Sequence, residues 1–309
     1  MQASPDDTEL DALDGLAWYA QRRPLFTGGN QVRLLRGGEA LFPTLRDHID
    51  AAQHSVWLAF YMISPLGQSG QVLQALMRAA RRGVSVHLVV DGLGSRDAPA
   101  SLWEDLTQSG VKLATYRPTR GLGQLVFDTS QWRRMHLKLA IIDQREACIG
   151  GINLIDDRYD LHHGWSARPR LDYALALQGP AITPMLHAVR AIWTRAQVGK
   201  DWLDELPPLP HLPISPQDVR KFKRFKRLLD QARMRLSPGE QGRVEKAAQV
   251  QHGTRCAFVM RDNLRQRRTI ELAALQAIRQ ARQRIDIVTP YFYPHRAIRL
   301  ALRHADIAF

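Results

Sequence analysis

Between residues 32 and 116, short apolar runs alternate with stretches of helical periodicity, and few folds accommodate that order. Val32 to Leu35 is a short run. Leu41, Leu45, Ile49 and Ala52 follow at helical spacing, and Ser55 to Ile63, rich in β-branched and aromatic residues, reads as a buried strand. Val72 to Arg82 is a helix by pattern, with Gly83 placed to end it, and Val84 to Val90 is the next strand. Leu102 to Ser109 and Val111 to Tyr116 add one more helix and strand. This β-α-β-α-β alternation predicts the α/β class, a mostly parallel sheet covered by helices on both faces. Further strands are predicted at Leu137 to Ile142, at Ala147 to Ile149 (broken by Gly150-Gly151) and at Tyr173 to Leu177. A helix is predicted over Ile182 to Ala196.

Around residue 207 the composition changes. Pro207, Pro208, Pro210, Pro213 and Pro216 mark a connector, and a basic stretch follows in which Lys221, Lys223 and Arg224 surround Phe222 and Phe225. After Cys256 the opening pattern returns: Ile49, Ala52, Val56 and Leu58 are matched by Ile278, Ala281, Ile285 and Ile287 at a constant offset of 229. The expected organisation is an N-terminal extension over 1–30, a first domain over 31–205, a proline-rich and basic linker over 206–250, and an incomplete second copy over 251–309.

The formal charge of +13 favours an anionic partner: nucleic acid, lipid headgroups or a phosphorylated substrate. Two cysteines, Cys148 and Cys256, make neither a disulfide framework nor a zinc site, which fits a reducing, cytosolic setting. The acidic N-terminus has no apolar signal core, and no stretch approaches the roughly 18 apolar residues of a membrane span, so membrane contact is expected to be peripheral.

The chemistry concentrates in His136-Leu-Lys138, Asp143 and Gly150-Gly151-Ile-Asn153, the pattern H-x-K-x4-D-x6-G-G-x-N. On a strand, His136 and Lys138 project from one face while residues 137, 139 and 141 point to the other. A neutral imidazole can attack phosphorus, and an ammonium beside it offsets charge on the phosphoryl oxygens. Asp143 falls at the turn that ends the strand. His162-His163 read as a solvated pair on a loop, and no carboxylate–His cluster calls for a metal.

This pattern resembles the HKD motif of the phospholipase D superfamily, with Gly151 where many members carry Ser. Gly38-Glu39-Ala40-Leu41-Phe42-Pro43, Ala80-Arg81-Arg82-Gly83-Val84 and Asp172-Tyr173 through Gly179-Pro180 resemble the bacterial B-type cardiolipin synthase branch. The resemblance implies a phospholipase D-like mixed, mostly parallel sheet flanked by helices, with no metal or other cofactor, and His136, Lys138 and Asp143 as catalytic residues. It also implies a covalent phosphohistidine, phosphate held near Gly150, Gly151 and Asn153, and an acidic residue that orients the nucleophile, for which Asp172 is the candidate. The implied reaction is phosphatidyl transfer, two phosphatidylglycerols giving cardiolipin and glycerol, at the cytoplasmic face of the membrane. Lys221, Phe222, Lys223, Arg224 and Phe225 are the expected membrane contact.

Members of this type carry two such motifs, whereas His136-Leu-Lys138 is the one H-x-K here. A second copy of His136 at the offset of 229 would fall at position 365, past residue 309. The expectation is a truncated, inactive second half, or else a homodimer in which two His136 share a cleft. Two other readings stand beside the transferase: a phosphodiesterase or nuclease using the same motif on nucleic acid, which the lipid-branch signatures disfavour, and a non-catalytic membrane-binding remnant.

Overall fold

The computed structural model describes residues 24–118, 134–161, 163–198, 253–261, 268–287, 289 and 292–305. These divide into two compact units, one built from 28–198 with 253–255, the other from 256–305 with 24–27. The linker and its basic stretch, Lys221, Phe222, Lys223, Arg224 and Phe225 included, lie outside the described residues.

The larger unit is organised by one eight-stranded sheet. In chain order its elements are β1 (Thr27–Arg36), α1 (Gly37–Ala51), β2 (Ser55–Phe60), α2 (Gly67–Arg81), β3 (Ser85–Asp91), α3 (Ala100–Gln108), β4 (Lys112–Tyr116), β5 (Lys138–Ile142) and β6 (Glu146–Gly150). A small hairpin of β7 (Tyr159–Asp160) and β8 (Gly164–Trp165) follows, then β9 (Tyr173–Gln178), α4 (Ile182–Val198) and β10 (Thr254–Cys256). The sheet order is β10-β1-β9-β6-β5-β2-β3-β4.

The α/β class with helices flanking a sheet stands, and the sheet is mixed. It is parallel at β2–β3–β4, where α2 and α3 supply the crossovers that parallel strands need. It is antiparallel at β1–β9, β9–β6, β6–β5 and β5–β2. The opening alternation does not extend past β4: β5 returns to β6 through a tight turn, and a strand that turns back pairs antiparallel. In that turn Arg145 N–H donates to the Ile142 carbonyl, and both central residues, Asp143 and Gln144, have positive φ, +49° and +58°. Positive φ at both central positions is the signature of a hairpin turn whose twist matches its strands.

β5 lies in the middle of the sheet and is buried on both faces, with Leu139, Ala140 and Ile141 at 0% exposure. On one face, Leu45, Ile49, Val72, Leu76, Leu58 and Leu88 form the main core with α1 and α2. On the other, Trp57 of β2 and His87 of β3 stack at 3.7 Å, and Trp193 of α4 meets both edge-on.

Helices α1 and α2 begin earlier than their apolar periodicity predicts, at Gly37 and Gly67, and neither has a local side-chain cap. Their orphan N–H groups are capped from far along the chain by two adjacent carboxylates. Gly38 N donates to Asp157 Oδ2, and Gln68 N to Asp156 Oδ2 at 2.8 Å. Both aspartates are buried. A carboxylate against a helix N-terminus also complements the helix dipole.

Among the described residues of the smaller unit, α5 (Thr269–Gln280) and α6 (Arg296–Arg303) are the helices, and α5 ends where the offset of 229 places the counterpart of α1. The strand expected around Ile285 and Ile287 is absent: residues 284–287 form no regular element. A strand exists only where a neighbour completes its ladder, and among the described residues of this unit none pairs with them.

Candidate active site

In open α/β sheets, ligand crevices lie at the carboxyl ends of the parallel strands. Here β2 ends at Phe60 and β3 at Asp91, and antiparallel β5 starts beside them, with Lys138 opposite Phe60. The residues just before β5 therefore arrive at that crevice end.

His136 is exposed there and stacks on Tyr61, with ring centroids 4.4 Å apart. Lys138 Nζ stands 5.6 Å from the centroid of the same ring and donates to the His136 carbonyl at 2.9 Å. Both groups thus gather around Tyr61. Burial, and then the Lys138 charge, push the His136 imidazole below its ordinary pKa, while the Asp91 carboxylate acts the other way. This shift favours the neutral imidazole, the state a nucleophile needs. Burial likewise lowers the Lys138 ammonium, against an upward pull from Asp172.

Asp143 sits at the far end of β5, about 16 Å from Lys138 at a strand's rise per residue. Its carboxylate accepts N–H groups of Gln53, His54 and Ser55, each at 2.8 Å. Burial raises its pKa, but the three donors together outweigh that and hold it below the ordinary aspartate value. Asp143 fastens the α1–β2 connection to the β5–β6 turn and touches neither His136 nor Lys138.

Gly150 and Gly151 bring β6 against the start of β9. A Cβ on Gly150 would stand 2.4 Å from the Tyr173 carbonyl, and one on Gly151 would stand 2.2 Å from Asp172 Oδ1. The glycine found where relatives of this pattern carry serine is thus matched to the Asp172 carboxylate, which fills the space a side chain would take. The charge of Asp172 reaches Lys138, and its Oδ1 accepts the Tyr173 N–H at 2.7 Å. No hydrogen bond joins Asp172 to His136 among the described residues. Asn153 Oδ1 accepts the Met62 N–H at 3.3 Å, and Leu154 bridges to Ile63, so the segment after Gly151 runs beside the chain that follows Tyr61.

Asp91, Arg134 and Tyr61 went unread in the sequence. The signal for two of them was available: Tyr61 and Asp91 stand where parallel strands end.

Residues 45–164 match the family model described as cardiolipin synthase, PLD-like domain. The chain carries a phospholipase D-like domain. It is similar to cardiolipin synthase B of Escherichia coli (strain K12), 32% identical over 279 residues, covering 90% of this chain and 57% of that protein. It is also similar to cardiolipin synthase B of Salmonella typhi, 29% identical over 280 residues with the same coverage. The chain thus spans about half the length of the curated relatives it matches. Among solved structures it is similar to a phospholipase D family member, Nuc from Salmonella typhimurium, at 17% identity and a TM-score of 0.39, covering 54% of this chain and 95% of that one. The phospholipase D-like domain contains the whole of the His136 to Asn153 motif.

Proposed function

We propose that the chain is a phosphatidyltransferase of the cardiolipin synthase type, joining two phosphatidylglycerols and releasing glycerol, with residues 31–205 as its catalytic domain. The observation that carries this reading is the imidazole of His136 and the ammonium of Lys138 gathered on one aromatic ring at the end of the sheet where β2 and β3 finish. An imidazole nitrogen of His136 attacks the phosphorus of phosphatidylglycerol. The bond from phosphorus to the glycerol oxygen breaks, and glycerol leaves with a proton. The glycerol hydroxyl of a second phosphatidylglycerol then displaces the histidine, giving cardiolipin. Lys138 and the Asn153 amide face the phosphoryl oxygens, and Gly150 and Gly151 let β6 approach Tyr173 and Asp172 closely. Asp172 balances the charge of Lys138. Asp143 holds the frame from the opposite strand end.

Protonating the leaving alcohol requires a second imidazole, and acid–base help of this kind is worth roughly 10² to 10⁴ in rate. A homodimer in which two His136 meet would supply it. The membrane surface is the second partner. No helix among the described residues is long and apolar enough to cross a bilayer. The net charge of +13 and the basic stretch with Phe222 and Phe225 support peripheral contact with anionic lipid, at about 1 kcal/mol per cation near the surface.

The test is to incubate the protein with phosphatidylglycerol, quench at alkaline pH, since phosphoramidates are acid-labile, and sequence peptides by mass spectrometry. A phosphatidyl adduct on His136, lost in His136→Ala, is expected together with glycerol release. Finding neither adduct nor cardiolipin nor glycerol rejects the assignment.

A further inference from the structure

Asp91 is the last residue of β3 and fully buried. Its Oδ1 accepts N–H groups of Leu93 at 2.9 Å and Gly94 at 3.1 Å, which folds the turn after β3. Its Oδ2 accepts the N–H of Met135 at 2.9 Å, the residue immediately before His136. Arg134, also buried, sets its guanidinium 3.6 Å from Asp91 Oδ1 and donates to the Arg117 carbonyl at 3.0 Å. Gly92 completes the arrangement: a Cβ there would stand 2.5 Å from the Arg117 oxygen. Arg117 and Arg134 are thereby tied to each other beside Asp91.

We propose that Asp91 is a positioning residue for His136: paired with Arg134, it clamps the backbone one residue before the imidazole. A buried carboxylate that takes three backbone N–H groups and faces a guanidinium fixes that segment strongly, since charge-assisted hydrogen bonds in a dry setting are the strong ones. The same carboxylate is the acidic group whose charge acts on the imidazole. The name nucleophile rests on the function proposed above; the clamp itself does not.

The test is the pH titration of the His136 ring by nuclear magnetic resonance in the full chain, with Asp91→Asn and Arg134→Met as variants. Asp91→Asn removes a charge that favours the imidazolium, so its midpoint moves down. Arg134→Met leaves the Asp91 charge unbalanced, so the midpoint moves up. Shifts of opposite sign support the proposal, because a purely structural role would lower stability without that signature. A His136 titration unchanged in both folded variants overturns it, and so does a shift of the same sign in both. If Asp91→Asn does not fold, an unchanged midpoint in Arg134→Met alone overturns it. None of these readings depends on lipid turnover, so the clamp can fail while the transferase stands, and the reverse.

Discussion

The imidazole of His136 lies flat against the ring of Tyr61, 4.4 Å between centroids and 15° from parallel. A stacked pair of this kind is worth about 0.5–1.5 kcal/mol, and a loss of 1.4 kcal/mol corresponds to about tenfold in rate. Tyr61→Ala is therefore expected to slow formation of the His136 adduct by about tenfold. Tyr61→Phe, which keeps the ring, should stay within about twofold of the parent. Adduct formation at the parental rate in Tyr61→Ala would show that the stack does not orient the nucleophile.

Lys138 contributes to holding the imidazole neutral, second to burial. Lys138→Met should raise the His136 titration midpoint and leave it below the ordinary histidine value, because burial, the larger cause, remains. A fall on this substitution, read by the same resonance titration, would contradict the placement of the ammonium beside the ring.

Asp143 predicts a stability effect more than a chemical one. Its three backbone N–H partners would be left to water in Asp143→Ala, a cost of about 2 kcal/mol for hydrogen bonds to a charged group that are partly re-solvated. Because its folded pKa is depressed, this contribution is present above the ordinary aspartate pKa and fades as pH falls through the folded one. Gln144, with φ +58°, should gain about 0.5–1 kcal/mol on replacement by Gly. Urea midpoints measure both, and a neutral Asp143→Ala would break the argument.

His87, pressed between Trp57 and Trp193, is pulled down to about 4, first by burial and then by the Lys112 charge. The folded protein keeps this ring neutral to about pH 4, whereas the unfolded chain protonates it near 6.5. Above pH 6.5 neither state is charged. As pH falls from there towards 4, the unfolded state takes a proton that the folded state refuses, so stability declines. His87→Phe preserves the stack and should lessen the loss between pH 7 and 5, again read from urea midpoints. An equal loss in both proteins would place the pH dependence elsewhere.

The two distant helix caps are separable. Asp156→Ala and Asp157→Ala should each cost about 1–2 kcal/mol, the usual worth of an N-cap side chain. Asp156→Asn, which retains an acceptor, should recover most of that loss. A denaturation midpoint unmoved by either alanine substitution would mean that water serves those helix ends equally well.

By itself the sequence determined the class of fold, because apolar periodicity is a local property: the strands β2, β3, β4 and β5 and the helices between them fall where their spacing places them. It also determined the motif, and that His136 and Lys138 share a side, since a two-residue offset on extended backbone allows little else. Only the tertiary structure decided which distant groups meet them. Asp91 reaches Met135 across 44 residues, Asp157 caps α1 across 119, and Asp143 serves the opposite end of its strand from the imidazole. The physical reason is that a buried N–H or carboxylate must find a partner wherever the packed sheet brings one. That choice depends on register and strand order, which no local spacing encodes.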